Sequence, residues 1–340
     1  MVIGKKYILT KNFKDEPQED DLTLVEFEVP PVTDGEILVE AEYLSVDPYM
    51  RPYSDTMSPD ITMIGTQVAK ILESKNPNWP VGKKIFANIG WTTHSVFNPE
   101  LLDESYIISP YILPDFDDLP ASLALGMLGM PGNTAYFGFE EICKPKAGET
   151  VVVSGAAGAV GSHVGQIAKI LGLKVIGIVG SEAKCKWIVD ELGFDHAINY
   201  KTEDVYVALS NVAPEGVDCY FDNVGGEISS SVIHQMNEFG RISVCGSIST
   251  YNTGSKWNSN NLLKATVIQK AMIFKQLKME GFLVYRWIDR WNEGIEKNLT
   301  WIREGKLIYK ETVTEGFENM FKAFTGMLKG SNIGKAIVRV

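Results

Sequence analysis

Residues 149–165 read ETVVVSGAAGAVGSHVG. The valine run predicts a strand buried on both faces, and the glycines predict a tight turn leading into a helix. Gly158 and Gly161 give A-x-G-x-x-G, one glycine short of the full dinucleotide fingerprint. Gly158 would let the backbone approach a pyrophosphate, Gly161 would permit close helix packing, and the helix N-terminus would face the phosphates. The stretch predicts a dinucleotide site; the alternative is a glycine turn without a ligand.

Further apolar segments follow at intervals that suit alternating strands and helices. The candidate strands are 150–154, 174–179, 196–199, 219–222, 241–245 and one within 276–284. Six parallel strands with helices between them are typical of a doubly wound Rossmann sheet. The sequence therefore predicts an α/β fold with a six-stranded parallel sheet, the alternative being a larger irregular α/β sheet.

The first ~120 residues have a different pattern, with short alternating runs separated by Pro, Gly and Asp turns. The clearest runs are EILVEAEYLSVD (36–47), MIGTQVAKILES (63–74) and KIFANIGWTTHSVF (84–97). A predicted helix pair in 120–144 separates this mostly β domain from the Rossmann segment. At the C-terminus, a predicted helix (319–330) and strand (332–340) are expected to return to the first domain.

This pattern predicts a discontinuous first domain, 1–122 and 314–340, and a Rossmann domain, 123–313. A chain of 340 residues is long enough for two domains, since single cores stop growing at roughly 250 to 300 residues. We expect the returning tail to close a cleft over the cofactor.

The composition of the chain limits the classes of partner that it can bind. A formal net charge of −11 argues against nucleic acid and anionic membrane surfaces. No run approaches the ~18 apolar residues of a spanning helix, and the N-terminus lacks the apolar core of an export signal. The four cysteines lie far apart, without C-x-x-C spacing. We therefore expect reduced thiols, a cytoplasmic location and a small-molecule partner.

The end of the second predicted strand bears on which cofactor is used. Sites that prefer NAD place an acid at this tip, whereas NADP sites place a cation there. Here the tip is Gly180 and Ser181, Glu182 lies beyond it, and Lys184 falls in the first turn of the next helix. Lys184 could reach a 2′-phosphate, so NADPH is predicted; the alternative is a solvated surface lysine.

Metal ligands are scarce in the first domain, which offers one histidine, His94, and no cysteine before Cys143. A catalytic zinc needs three protein ligands, so no metal site is expected. His94 could be catalytic, but a hydrogen-bonded structural role is favoured. Without a Lewis acid or an evident Ser-Tyr-x-x-x-Lys set, the chain suits hydride addition to an activated carbon. In an enone or enal, hydride at the β-carbon places charge on an oxygen that hydrogen-bond donors can stabilise.

Seven segments carry a resemblance to a known family. They are VDPYMR (46–51), GWTTHS (90–95), GMPGNTAYFG (129–138), AAGAVGS (156–162), YFDNVGGE (220–227), CGSISTYN (245–252) and NIGK (332–335). Together they resemble the prostaglandin reductases, zinc-independent members of the medium-chain dehydrogenase/reductase superfamily. The resemblance runs over nearly the whole chain.

The resemblance implies a GroES-like domain, a Rossmann domain, NADPH and a homodimer, which an apolar sixth strand left at the sheet edge would also favour. By position it implies a set of cofactor contacts: Gly158, Ala159, Val160, Gly161, Lys184, Tyr200, Asn223, Cys245, Gly246, Ser247, Ile248, Ser249, Thr250, Tyr251, Phe282, Leu283, Val284 and Asn332. Tyr251 matches the family's tyrosine beside the reacting enone, and is predicted as catalytic and substrate-binding. Tyr49 lines the substrate cleft or serves packing alone.

The implied activity is NADPH-dependent reduction of the α,β double bond of enones and enals. A quinone oxidoreductase with the same cofactor and a non-catalytic cofactor-binding protein are the alternatives. After CGSISTYN the family tends to a proline-rich loop, whereas residues 253–266 here are polar and contain Trp257. This departure leaves the size and polarity of the substrate open.

Overall fold

The computed structural model describes residues 2–101, 108–252 and 268–340, so the polar segment 253–266 lies outside the described residues. The described chain divides into two compact units. The first unit contains residues 2–101, 108–126, 251–252 and 311–340, and the second contains residues 127–250 and 268–310. No helix within the described ranges is long and apolar enough to cross a membrane.

The N-terminal part of the first unit is mostly β. Its strands are β1 (Ile3–Leu9), β2 (Leu22–Glu28), β3 (Ile37–Ser45), β4 (Ile61–Thr62), β5 (Gln67–Ser74), β6 (Lys84–Ala87), β7 (His94–Phe97) and β8 (Tyr111–Ile112), with one short helix, α1 (Met50–Ser54). β1 pairs antiparallel with β2 and β4, and β3 pairs antiparallel with β5 and β7. The alternating runs predicted from the sequence contain β3, β5, β6 and β7.

The segment predicted as a helix pair is more irregular than expected. Ala121–Leu125 is a short 3-10 helix, α2 covers Met130–Phe137, and a π-helix follows at Gly138–Cys143. Gly126 (φ −128°, ψ −114°) ends the 3-10 helix, and Gly129 (φ −150°, ψ −143°) precedes α2. These backbone angles lie outside the helical region, so the glycines divide what hydrophobic periodicity alone predicts as regular helix.

The second unit is a doubly wound α/β fold. Its strands are β9 (Thr150–Ser154), β10 (Lys174–Val179), β11 (His196–Asn199), β12 (Val217–Asp222), β13 (Met236–Val244) and β14 (Lys278–Gly281). Its further helices are α3 (Ala159–Ile170), α4 (Glu182–Asp190), α5 (Val205–Val212), α6 (Gly226–Ile233), α7 (Gln269–Phe274) and α8 (Trp291–Arg303), with a 3-10 segment at Val284–Arg290.

The sheet of the second unit confirms the predicted fold class. Within the described residues it has six strands in the order β11-β10-β9-β12-β13-β14, and every neighbouring pair is parallel. The first three strands have the predicted bounds, whereas β12 and β13 begin earlier, at Val217 and Met236. β9 contributes Val151, Val152 and Val153, all fully buried, as expected for a strand covered on both faces.

The C-terminal segment belongs to the first unit. It contains β15 (Glu311–Glu315), α9 (Met320–Leu328) and β16 (Lys335–Arg339). β16 pairs parallel with β15 and antiparallel with β3, which gives the sheet order β15-β16-β3-β5-β6-β8. Phe324 of α9 lies edge-on to Trp91, with ring centroids 5.7 Å apart, in the core of this unit.

A fully buried histidine connects two helices of the second unit. His163 of α3 lies with Nε2 3.1 Å from Oδ1 of Asn298 on α8, and Asn298 Nδ2 donates to the carbonyl of Met127 at 3.3 Å. Burial lowers the pKa of His163 from 6.5 to about 4, and its hydrogen bond to Asn298 opposes this shift only in part. The neutral imidazole is therefore the form that the folded unit stabilises.

This depressed pKa predicts acid sensitivity. Because the folded pKa lies below the unfolded value, the stabilisation is complete above pH ~6.5 and is lost as the pH falls toward 4, at up to about 1.4 kcal/mol per pH unit. Urea unfolding midpoints measured from pH 7 to pH 4.5 should fall more steeply for the wild type than for His163→Gln, which has no titrating ring. Equal slopes for the two proteins would contradict this assignment.

Candidate cofactor site

The turn after β9 has the geometry of a phosphate-binding turn. Gly155 has φ +61°, a conformation that glycine adopts without strain, and α3 begins at Ala159 with Gly158 as its N-cap. A Cβ on Gly161 would lie 2.4 Å from the carbonyl oxygen of Gly155, whereas one on Gly158 would lie 3.3 Å from the same atom. Gly161 thus allows α3 to pack directly on the turn. The free N–H groups at the start of a helix attract an anion to this position.

Asn223 lies beside this turn. Its side-chain Nδ2 donates to the carbonyl of Ser154 at 2.7 Å, and its backbone N–H donates to Ser154 Oγ at 2.9 Å. A Cβ on Gly155 would contact the Asn223 Cβ at 3.4 Å. The structure therefore brings Asn223 together with the turn that ends at Gly158, although the two are far apart in sequence.

The predicted cofactor wall, residues 245–250, lies against the loop that follows β12. The N–H groups of Cys245 and Gly246 donate to the carbonyl of Asp222 at 2.8 and 3.1 Å. Ile248 N donates to Asn223 O at 3.3 Å. Burial, with the nearby charge of Asp222, raises the pKa of the Cys245 thiol to about 12. Cys245 is therefore a protonated packing residue near neutral pH rather than a thiolate nucleophile.

A second cluster lies at the carboxyl ends of β10 and β11. The Tyr200 ring covers Gly180, where a Cβ would lie 2.8 Å from the ring. Lys184 is half-buried in the first turn of α4, and Lys201 Nζ lies 6.0 Å from the Tyr200 ring centroid. Desolvation, followed by the charge of Lys201, lowers the pKa of Lys184. Two cations that disfavour each other's charge form a site that an anion would stabilise.

Lys201 was missed by the sequence reasoning, which identified Lys184 and Tyr200. The available signal was its place directly after Tyr200, at the end of the third strand of the sheet. Glu182, the acid that lies beyond this strand tip, is exposed at the first residue of α4.

Phe282, Leu283 and Val284 follow β14. The Phe282 ring packs against Gly138, where a Cβ would lie 2.2 Å from the ring, and edge-on to Trp287 at 5.5 Å. Leu283 is exposed. The half-buried ring of Phe282 therefore packs against α2, the π-helix and the 3-10 segment of the second unit.

Three predicted site residues, Tyr49, Tyr251 and Asn332, belong to the first unit. Tyr49 is half-buried and edge-on to Tyr53, with centroids 5.6 Å apart. Burial, then the charges of Asp47 and Tyr53, raises the pKa of Tyr49, so its hydroxyl stays protonated. Asn332 Nδ2 donates to the carbonyl of Gly334 at 2.8 Å, and Tyr251 is half-buried directly after the 3-10 turn Ile248–Thr250.

His94 has the surroundings of a structural residue. Its Nδ1 lies 3.0 Å from Thr93 Oγ1, which also accepts the backbone N–H of Lys5 at 2.9 Å. Its Nε2 lies 3.6 Å from a carboxylate oxygen of Glu40. Across residues 2–101, 108–252 and 268–340, no three His, Cys, Asp or Glu side chains are grouped so that they could hold a metal ion.

Two family models match parts of the chain. A family model described as the N-terminal domain of oxidoreductase matches residues 5–104, and one described as zinc-binding dehydrogenase matches residues 159–300. Among the residues that the structure describes, no group of donors fits the zinc that the second description mentions. A Rossmann unit joined to a mostly β GroES-like unit defines the class as medium-chain dehydrogenase/reductase.

Full-length relatives define the family within that class. Prostaglandin reductase 1 from Bos taurus is 50% identical over 341 residues, covering 100% of both chains. A 2-alkenal reductase (NADP(+)-dependent) from Nicotiana tabacum is 38% identical, covering 99% of this chain and 98% of that protein. The crystal structure of CurA in complex with NADPH from Vibrio vulnificus matches with a TM-score of 0.89 and 35% identity, covering 99% of both chains. This chain belongs to the prostaglandin reductase 1 family.

Proposed function

We propose that this protein reduces the α,β double bond of enones and enals with NADPH. The observation that carries the proposal is full-length similarity to two double-bond reductases, a prostaglandin reductase 1 and an NADP(+)-dependent 2-alkenal reductase. The geometry of the second unit supports it as well. The glycine turn after β9 has a position that suits a pyrophosphate, and Lys184 and Lys201 have positions that suit the adenosine end of a dinucleotide. The family resemblance and the absence of zinc ligands in the described residues favour reduction of an activated double bond over alcohol oxidation.

The chain's own residues would bind NADPH as follows. Gly158, Ala159, Val160 and Gly161 present the start of α3 to the pyrophosphate. Lys184, Tyr200 and Lys201 bind the adenosine 2′-phosphate, which relieves the repulsion between the two lysines. When bound, NADPH supplies the hydride. Contacts to its nicotinamide end are proposed for Asn223, for the wall Cys245, Gly246, Ser247, Ile248, Ser249 and Thr250, for Tyr251, for Phe282, Leu283 and Val284, and for Asn332.

Tyr251 is proposed as the catalytic donor. As hydride reaches the β-carbon, negative charge grows on the carbonyl oxygen of the substrate, and a phenol hydroxyl can donate a hydrogen bond to it. Tyr49 is proposed to line the substrate site, where its raised pKa keeps it a donor. Neither role requires a metal, and metal independence stays a prediction. A cytoplasmic location is likewise proposed, in keeping with four cysteines that are all free thiols.

We further propose a homodimer. Among the described residues, β14 is hydrogen-bonded on one side only, to β13, and forms an end of the sheet. Ile273 and Phe274, on the helix that leads into β14, are both 71% exposed. An open strand edge flanked by exposed apolar side chains favours pairing with a second copy.

The preference for NADPH over NADH should depend on Lys184. Lys184→Ala should weaken NADPH binding about ten- to a hundredfold, because a charge-assisted contact to the 2′-phosphate is lost, while NADH affinity changes little. Lys186→Ala, an exposed lysine on the same helix, is the matched control and should leave both affinities unchanged. Equal losses for NADPH and NADH in Lys184→Ala would mean that the lysine holds the fold and not the phosphate.

Enone turnover tests the activity and the role of Tyr251 together. The wild type should oxidise NADPH in the presence of alkenals, enones or 15-oxoprostaglandins, and faster than with a quinone. Tyr251→Phe keeps the ring and removes the hydroxyl, so kcat should fall at least about tenfold with NADPH affinity unchanged. An unchanged kcat would mean that Tyr251 only lines the site. Turnover with quinones alone would favour a quinone oxidoreductase.

The dimer proposal predicts a two-chain mass in sedimentation at micromolar concentration. Replacing both Ile273 and Phe274 with Asp should shift the protein toward one chain, because buried carboxylates would oppose the contact. Val207→Asp, at a 54% exposed apolar residue of α5, is the control and should leave the mass unchanged. A wild type that sediments as a single chain would refute the dimer.

A further inference from the structure

One carboxylate in the second unit collects an unusual number of donors. Asp222, the last residue of β12, is buried, and its Oδ1 accepts four hydrogen bonds. The donors are Tyr220 Oη at 2.8 Å, Ser154 Oγ at 2.9 Å, Gly225 N at 2.9 Å and Val224 N at 3.0 Å. The mechanism proposed above makes no use of this group.

The donor set makes Asp222 Oδ1 an acceptor in all four hydrogen bonds. Two of the four partners are backbone N–H groups, which can only donate. Ser154 Oγ accepts the N–H of Asn223 at 2.9 Å, so its own proton is directed to Asp222. Four donors converging on one oxygen hold the carboxyl group in one orientation. Within the described ranges no Lys or Arg forms an ion pair with Asp222, so hydrogen bonds supply the stabilisation.

The carboxylate holds the loop 222–226 in one conformation. Its bonds to the N–H groups of Val224 and Gly225 fold the chain back on itself, and Gly225 and Gly226 take φ +72° and +63°. Only glycine adopts these angles readily. Through Ser154, the same carboxylate is joined to the side of the phosphate turn that Asn223 contacts.

The loop in turn holds the wall 245–250. Three successive carbonyls of the loop accept N–H groups of the wall: Asp222 O from Cys245 and Gly246, Asn223 O from Ile248, and Val224 O from Ser249 at 3.2 Å. The Ser249 hydroxyl also donates to Val224 O at 2.6 Å. A change in the conformation of the loop would therefore move the wall, because four N–H groups of the wall are bound to loop carbonyls.

We infer that Asp222 is a positioning residue for the nicotinamide end of the cofactor site. It acts through the loop 222–226 on Asn223 and on the wall 245–250, and the inference rests on the proposed function, which assigns these residues to NADPH. The adenosine end is built on other strands, at the tips of β10 and β11. Loss of the carboxylate should therefore weaken binding of the whole cofactor and spare binding of its adenosine half.

The test compares two Asp→Asn variants on the same strand. Asp222→Asn removes the charge at the carboxyl end of β12. Asp218→Asn is the matched control near the other end, where the carboxylate accepts Thr150 N and Asn237 Nδ2, both at 2.8 Å. Dissociation constants are measured for NADPH and for adenosine 2′,5′-bisphosphate, which carries the 2′-phosphate and lacks the nicotinamide.

Asp222→Asn should raise the Kd for NADPH about tenfold or more and change the Kd for the bisphosphate by less than about twofold. The fluorescence of bound NADPH should change in this variant, because the wall that surrounds the nicotinamide has moved. Asp218→Asn should leave both constants within about twofold of the wild type. If the role of Asp222 were purely structural, Asp222→Asn would instead weaken the binding of both ligands.

An unchanged NADPH affinity in Asp222→Asn, or equal losses for both ligands, would overturn the inference. If that variant does not fold, Ser154→Ala, which removes one of the four donors, takes its place. It should weaken NADPH binding more than bisphosphate binding, by a smaller factor than Asp222→Asn. Equal effects on the two ligands in Ser154→Ala would overturn the inference. A wild type that binds NADPH but reduces no enone would refute the proposed function and leave this comparison valid. A wild type that binds no NADPH would overturn both.

Discussion

The parallel pairing of β9 with β12 is the constraint on which the rest of the second unit depends. The register places Val153 opposite Phe221, so both strands end at the same edge, with Ser154 next to Asp222. Strands covered on both faces cannot leave a backbone group unpaired, which fixes this register. The phosphate turn leaves one strand, and the loop that holds the wall leaves the other. Polar groups 68 residues apart in sequence thereby share one hydrogen-bond network.

Electrostatics at this edge is divided between two kinds of site. Two lysines lie at the tips of β10 and β11, where desolvation and then the charge of Lys201 lower the pKa of Lys184. At the ends of β9 and β12 a buried carboxyl group accepts four hydrogen bonds. An anion would stabilise the two lysines, whereas the carboxyl group is held by hydrogen bonds from its own chain. The two lysines therefore suit recognition of a ligand, and the carboxyl group suits holding the backbone in place.

In the first unit, a buried ion pair holds the turn that carries the predicted site residue Tyr49. Lys335 of β16 donates to Val46 O at 2.7 Å and to Asp47 at 2.9 Å, and both side chains of this ion pair are buried. Ser45 also donates to the Asp47 carboxylate. A buried ion pair offsets its desolvation only when further hydrogen bonds satisfy both partners, as they do here. The pair fastens the C-terminal strand to the turn that carries Tyr49.

The sequence by itself determined the Rossmann sheet and the glycine turn that follows β9. β9, β10 and β11 have the predicted bounds, because strands buried on both faces have continuous apolar sequences between turn residues. Gly161 was predicted for close packing, and the 2.4 Å approach to Gly155 O supplies the reason. Lys184 was predicted as a cofactor contact because a strand tip without an acid is visible in one short segment. These are local signals, each contained within a few residues.

Only the tertiary structure decided which distant groups meet. Nothing local distinguishes Asp222 from other acids; its four donors arrive from Ser154 of another strand and from its own loop. Lys201 becomes relevant because the end of β11 lies beside that of β10, and His163 is neutral because Asn298 of α8 and the surrounding core exclude water. Hydrophobic periodicity shows which face of an element is buried. It cannot show what that face is buried against, because strand order and helix packing are set by contacts between segments far apart in the chain.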